Sequence, residues 1–160
     1  MTNRQWRATA ITVSTRCAAG TVEDTSGQIA AEILTAAGFA VTRALCPDGI
    51  EPVQAELKKA LAKDADVVFT LGGTGINPND FTPEAVQPLL EREVPGIAEL
   101  VRSTGMKVNP MAAISRGVAG TIGSTLVITL PGSPKAAKES LEPILVFLPH
   151  ALEQMAGGDH

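Results

Sequence analysis

Residues 66–71, DVVFTL, are apolar at nearly every position, and the chain then runs straight into the glycines of GGTG at 72–75. A strand that is apolar on both faces has to be covered on both, which is the situation of a parallel strand between two layers of helices. The rest of the sequence supplies the neighbours. ATAITVS at 8–14 is rich in β-branched residues and predicts a first strand, AVTRAL at 40–45 a short second one, and TLVITL at 125–130 the last clear one. Helical patterns lie between them. In residues 25–39, Ile29, Ile33, Leu34 and Ala37 share a face, Thr25 and Gln28 have capping-box spacing, and Gly38 supplies a left-handed stop. Residues 47–63 turn Val53, Leu57, Ala60 and Leu61 inward. Residues 82–105 predict at least two short helices, broken at Pro88 and Pro95, and 133–157 a closing helical region kinked at Pro143 and Pro149. This alternation predicts a three-layer α/β/α arrangement with a mostly parallel central sheet, residues 1–160 forming a single domain and ligands received beyond the carboxyl ends of the strands.

Composition narrows the function classes. Aromatics are only 3% against 44% apolar residues overall, so the core has to be built from Ala, Val, Leu and Ile in closely approached layers. A formal net charge of -4 and the absence of a Lys/Arg run argue against a nucleic-acid surface, which must neutralise many phosphates. Cys17 and Cys46 lack metal-ligand spacing and read as free thiols. No run reaches the roughly 18 apolar residues of a membrane span, and the opening segment has no secretory pattern, so the expectation is a cytoplasmic protein without a membrane partner.

Gly72, Gly73 and Gly75 follow a buried strand, where missing side chains allow a sharp turn and let backbone amides approach an anion. The spacing is neither that of a dinucleotide fingerprint nor that of a nucleoside-triphosphate P-loop, so a plain structural turn and a ligand-holding loop both stand. Asp80 follows in a loop with Asn77, Pro78 and Asn79, while Thr82 and Pro83 fit an N-cap and a first helical residue. Asp80 is either a loop carboxylate satisfied by nearby amides or a hard ligand for Mg2+ beside a phosphate. Glu84 is a weaker candidate, having a reason to exist in the first turn of a helix. Asp48, with Glu51 at capping-box distance, is either a cap or a second carboxylate brought toward Asp80 by the topology. Gly132, Ser133 and Pro134 repeat the strand-end pattern, a close approach followed by a helix start with free amides. Lys135 reaches a phosphate or only water. The polar loop after the first strand offers Ser14, Thr15, Arg16, Asp24 and Ser26, and His150 reads as a capping or interface residue.

Taken together, EDTSG at 23–27, PDG at 47–49, LGGTG at 71–75, NDFTPEA at 79–85, EVPGIAEL at 93–100, AAISRGVAGTIGSTLVITLPGSPKAAKE at 112–139 and LPHALE at 148–153 resemble the molybdenum cofactor biosynthesis adenylyltransferase family, the Mog-type proteins and their bacterial relatives. The resemblance covers nearly the whole chain. It implies a molybdopterin-binding-like α/β domain that transfers AMP from MgATP to the terminal phosphate of molybdopterin, or, alternatively, a binding and assembly protein that retains the pocket with little turnover. It places Asp48 and Asp80 at the essential acidic, magnesium-holding positions. Gly72, Gly73, Thr74 and Gly75 would contact phosphate, with Ser115, Gly132 and Ser133 lining the same pocket. It further implies a homotrimer or a hexamer and contact with other proteins of the same biosynthesis. Two positions depart from the family pattern: Asn79 stands where Arg is common, and Thr15 where an aspartate is often found after the first strand.

Overall fold

The computed structural model describes residues 3–159, so residues 1, 2 and 160 of the expected 1–160 domain lie outside it. Four strands, β1 (Arg7–Val13), β2 (Ala40–Cys46), β3 (Val67–Leu71) and β6 (Thr125–Leu130), are mutually parallel. Two more, β4 (Arg92–Glu93) and β5 (Ala119–Ile122), extend the sheet antiparallel and complete the order β2-β1-β3-β6-β5-β4. β3 and β6 are buried at every position, as a two-sided strand requires, whereas β2 is an edge strand with most of its residues exposed.

Helices cover both faces. On one side α2 (Thr25–Ala36), α5 (Pro95–Met106) and α6 (Pro134–Met155) pack on Ala8, Ala10, Val67, Phe69, Leu71, Leu126, Ile128 and Leu130. On the other, α3 (Ile50–Ala62) and α4 (Thr82–Val86) pack on Ile11, Val13, Val68 and Val127. The expected three-layer, mostly parallel architecture is therefore the observed one. A four-residue helix, α1 (Thr15–Ala18), follows β1, and short 3₁₀ turns occupy Gln87–Leu89 and Pro110–Ile114.

Several local expectations are corrected. The N-cap of α2 is Asp24 rather than Thr25: its carboxylate accepts from Gly27 N at 2.9 Å. Asp48 does not cap α3, whose N-cap is Gly49 without a side-chain bond. Thr82 is the first residue of α4 and caps nothing, because its hydroxyl donates to Gly72 O at 2.8 Å. α6 runs unbroken over 22 residues with Pro143 and Pro149 inside it. Each proline removes one helical bond, freeing the carbonyls of Glu139 and Leu145. The buried stripe Ala137, Leu141, Ile144, Leu148 and Leu152 keeps a helical spacing throughout and holds the element together. β4 and β5 were not expected, since one is two residues long and the other carries a glycine.

Candidate functional site

The strand order creates the crevice. From β1 the chain moves outward to β2, then crosses back to β3 on the far side of β1, so the connections diverge between β1 and β3. Ligands of doubly wound sheets enter outside the carboxyl ends of the strands at such a point. Here the loops after β1, β2, β3 and β6 surround a cavity of about 760 Å³ lined by Ser14, Thr15, Asp48, Gly72, Gly73, Asp80, Gly132 and Ser133, among others.

The glycine turn is shaped by close contacts. Gly72 has φ of +113°, and a Cβ there would run into the backbone carbonyl of Val13; Gly73 has φ of +69°, and a Cβ would strike the Thr82 hydroxyl. Gly72 N donates to Leu130 O at 3.0 Å and Thr82 N to Gly73 O at 3.0 Å, tying the turn to the end of β6 and to α4. The amides of Gly73, Thr74 and Gly75 have no acceptor among the described residues. At the start of α6, Ser133 Oγ accepts from Ala136 N at 3.2 Å, so serine cap and proline at the first helical position are as expected. Ser26 Oγ donates to Gly132 O and joins the first turn of α2 to this loop.

Both aspartates border the large cavity and both are half-buried. Asp48 Oδ2 accepts from Thr15 Oγ1 at 2.8 Å and from Thr15 N at 3.1 Å. Asp80 Oδ2 accepts from Asn77 N at 3.1 Å. In each carboxylate Oδ1 has no donor among the described residues. Hard oxygens of this kind, one or two per site with the remaining positions left to phosphate and water, suit Mg2+. Among the described residues there is no group of three or more His, Cys, Asp or Glu able to hold a metal by themselves.

One residue that organises the crevice, Arg116, carries no local signal in the sequence. Arg116 Nε donates to Gly75 O at 2.8 Å and Nη2 to Asp80 O at 2.9 Å, Nη1 pairs with the Glu84 carboxylate, and its backbone N donates to Thr74 O at 2.7 Å. It braces the loop that carries Asp80 from within. The hydrogen bond from Arg116 holds the Glu84 carboxyl below the usual range, and Glu84 is thereby engaged in that pair. Lys135 lies 3.9 Å from Glu139 and is not among the residues lining either cavity. His150 lies 3.0 Å from Gln154 on the exposed side of α6.

Thr74, Gly75 and Ser115 line a second, smaller cavity of about 290 Å³, which also touches Ser133 and is walled by Val101, Met111, Ala112, Ile114 and Pro131 with Arg102 and Glu139. The expected site residues are thus divided. Asp48, Asp80, Gly72, Gly73 and Gly132 border the polar crevice, Thr74, Gly75 and Ser115 the apolar recess, and Ser133 borders both. Ser14, Thr15, Arg16, Asp24 and Ser26, from the end of β1 through α1 to the first turn of α2 rather than on one loop, all reach the crevice.

A three-layer α/β protein with a polar crevice at its topological switch point, and a glycine turn, a helix start and two carboxylates around that crevice, belongs to the doubly wound class whose members receive ligands beyond the strand ends. The chain belongs to the molybdenum cofactor biosynthesis family, whose model, described as "Probable molybdopterin binding domain", matches residues 9–150. It is 40% identical over 149 residues to the molybdenum cofactor biosynthesis protein B of Staphylococcus aureus, covering 89% of this chain and 87% of that one. It is 39% identical over 145 residues to the Drosophila melanogaster molybdenum cofactor synthesis protein cinnamon, covering 89% of this chain and 24% of that one. The crystal structure of the molybdopterin biosynthesis enzyme MoaB from Thermus thermophilus superposes with a TM-score of 0.89 at 46% identity, over 96% of this chain and 98% of that one. The chain spans 15% to 50% of the length of the longer curated relatives it matches.

Proposed function

We propose that residues 1–160 form one molybdopterin-binding domain that acts in molybdenum cofactor biosynthesis as a molybdopterin adenylyltransferase. The observation that carries this reading is the convergence of Asp48, Asp80, Gly72, Gly73 and Ser133 on one crevice from separate strand ends. An oxygen of the molybdopterin terminal phosphate attacks the α-phosphorus of ATP, a new P–O bond forms, and the bond to the pyrophosphate leaving group breaks. That nucleophile is already ionised near neutral pH. No activated serine or histidine is therefore required. The chain's own part is to orient and to stabilise charge: the unpartnered amides of the glycine turn receive phosphate oxygens, and the braced loops hold the two substrates in line. Mg2+ held by Asp48 and Asp80 would offset negative charge on the leaving pyrophosphate. The apolar recess beside Ser115 and Ser133 offers apolar walls for a ring system attached to the phosphate. We further read the protein as a cytoplasmic homotrimer, with a hexamer as the alternative, which sedimentation distinguishes.

The test is AMP transfer by purified protein with molybdopterin and MgATP, followed as adenylylated product. Asp80→Asn is expected to lower the rate roughly a hundredfold or more, the scale of losing a charge-stabilising group, while an Asn79→Arg variant stays active. A parent protein that binds molybdopterin saturably but yields no adenylylated product defeats the enzyme reading and leaves a binding and assembly protein in its place.

A further inference from the structure

Thr15 and Asp48 occupy matching places in the sheet. Val13 pairs with Cys46 at the carboxyl ends of β1 and β2, Ser14 N extends the ladder by donating to Cys46 O at 2.9 Å, and Thr15 and Asp48 each come two residues past the end of their strand. Side chains continue the pairing where backbone pairing stops. Thr15 Oγ1 donates to Asp48 Oδ2 at 2.8 Å and accepts from Asp48 N at 3.1 Å, while Thr15 N donates to the same Oδ2 at 3.1 Å. Three hydrogen bonds from one residue therefore fix both the backbone and the carboxylate of Asp48. Both bonds to the carboxylate converge on Oδ2, and Oδ1 has no donor among the described residues. The helix that follows makes no claim on the group, since α3 begins at Ile50 and its N-cap, Gly49, supplies no side-chain bond.

We infer that Thr15 is a positioning residue that makes Asp48 a one-oxygen ligand for a divalent cation in the crevice. This rests on the reading of the crevice as a metal and phosphate site. Magnesium demands near-octahedral geometry and usually keeps several waters. A carboxylate free to swing can chelate with both oxygens and occupy positions needed by phosphate. With Oδ2 committed to Thr15, only Oδ1 is presented, and its orientation is set before the ion arrives. Outer partners of this kind typically govern about 10–100-fold in metal affinity. Because Thr15 is exposed and its backbone N survives substitution as a donor, the lower end of that range applies.

The experiment is Mn2+ binding followed by electron paramagnetic resonance, with a non-hydrolysable ATP analogue present, on the parent, Thr15→Val, Thr15→Ser and Asp48→Asn. Thermal unfolding of each variant serves as the check on folding. Valine keeps the threonine shape and removes only the hydroxyl. The expected result is roughly tenfold weaker Mn2+ binding in Thr15→Val and near-parent binding in Thr15→Ser, with little change in melting temperature. If Thr15→Val binds Mn2+ like the parent while Asp48→Asn does not, the positioning role is overturned and the metal reading survives. If Asp48→Asn also binds like the parent, the metal reading itself falls. Equal weakening in Thr15→Val and Thr15→Ser would overturn the inference, because the hydroxyl is then not the cause. Should Thr15→Val unfold early, the same comparison is made between Thr15→Ser and Thr15→Ala.

Discussion

Arg116 shows how one side chain can organise a loop far from it in sequence. Its acceptors Gly75 O and Asp80 O lie 41 and 36 residues earlier. Arg116→Met removes three side-chain interactions, of which the pair with Glu84 is surface-exposed and contributes little. The two bonds to carbonyls should make the stability loss about 1–3 kcal/mol in a denaturant titration. Nucleotide affinity should fall more steeply than stability, because the loop carrying Asp80 loses its brace, and isothermal titration would measure that. The same pair has a sign with pH. The Glu84 carboxyl is held low by the Arg116 hydrogen bond, so its contribution is complete above the ordinary value of 4.5 and is lost as acidification passes the lower folded value. Stability should therefore fall on that acid limb, and less so in Glu84→Gln. Cys46 behaves oppositely: burial, then the neighbouring Glu56 and Asp48 charges, push its thiol up to about 11. Folding protects it as a neutral thiol, so stability should decline between pH 9.0, the ordinary value of the thiol, and that raised value, and native Cys46 should react slowly with thiol reagents. Asp48 and Asp80 were legible because each follows a strand in a loop of turn residues. Arg116 was not, because no local spacing marks a side chain whose partners arrive through a strand crossover.

At the scale of elements, strands with a strong apolar pattern were read within a residue or so, and strands without one were missed. β3 and β6 are buried on both faces and announce themselves. β5 is only four residues and includes Gly120, and β4 is two exposed residues paired to it. The available signal was Gly123 and Ser124, a two-residue turn between TI and TLVITL that fits a hairpin. The prolines of α6 point the other way, since local rules predict a kink and the continuous buried stripe prevails. Leu148, fully buried in that stripe, should cost about 2–5 kcal/mol when replaced by Ala, read as a drop in the denaturant midpoint with unchanged slope. Gly72→Ala should be harmful for a different reason. The left-handed backbone and the Val13 carbonyl both oppose a Cβ, so a loss of roughly 1–3 kcal/mol is expected, accompanied by weakened ligand binding because the turn must shift.

For the whole molecule, β1, β3 and β6 supply a rigid edge, and chemistry-bearing residues sit just beyond it on loops. Such an arrangement predicts that ligand stabilises the fold: MgATP at a hundred times its dissociation constant should add about 2.7 kcal/mol, visible as a raised melting temperature that Asp80→Asn abolishes. No helix among the described residues is long and apolar enough to cross a membrane. The amino-acid sequence alone determined the layered α/β class, the parallel core strands, the glycine turn and the two acidic positions, because these depend on local periodicity, steric freedom and turn chemistry. Tertiary structure decided which of those residues meet. It separated Thr74, Gly75 and Ser115 into an apolar recess, drew Asp48 and Asp80 to one crevice, and gave Asp48 to Thr15 rather than to the helix that follows it. The physical reason is that strand order and register set distances across the sheet, and neither is written in the spacing of residues along the chain.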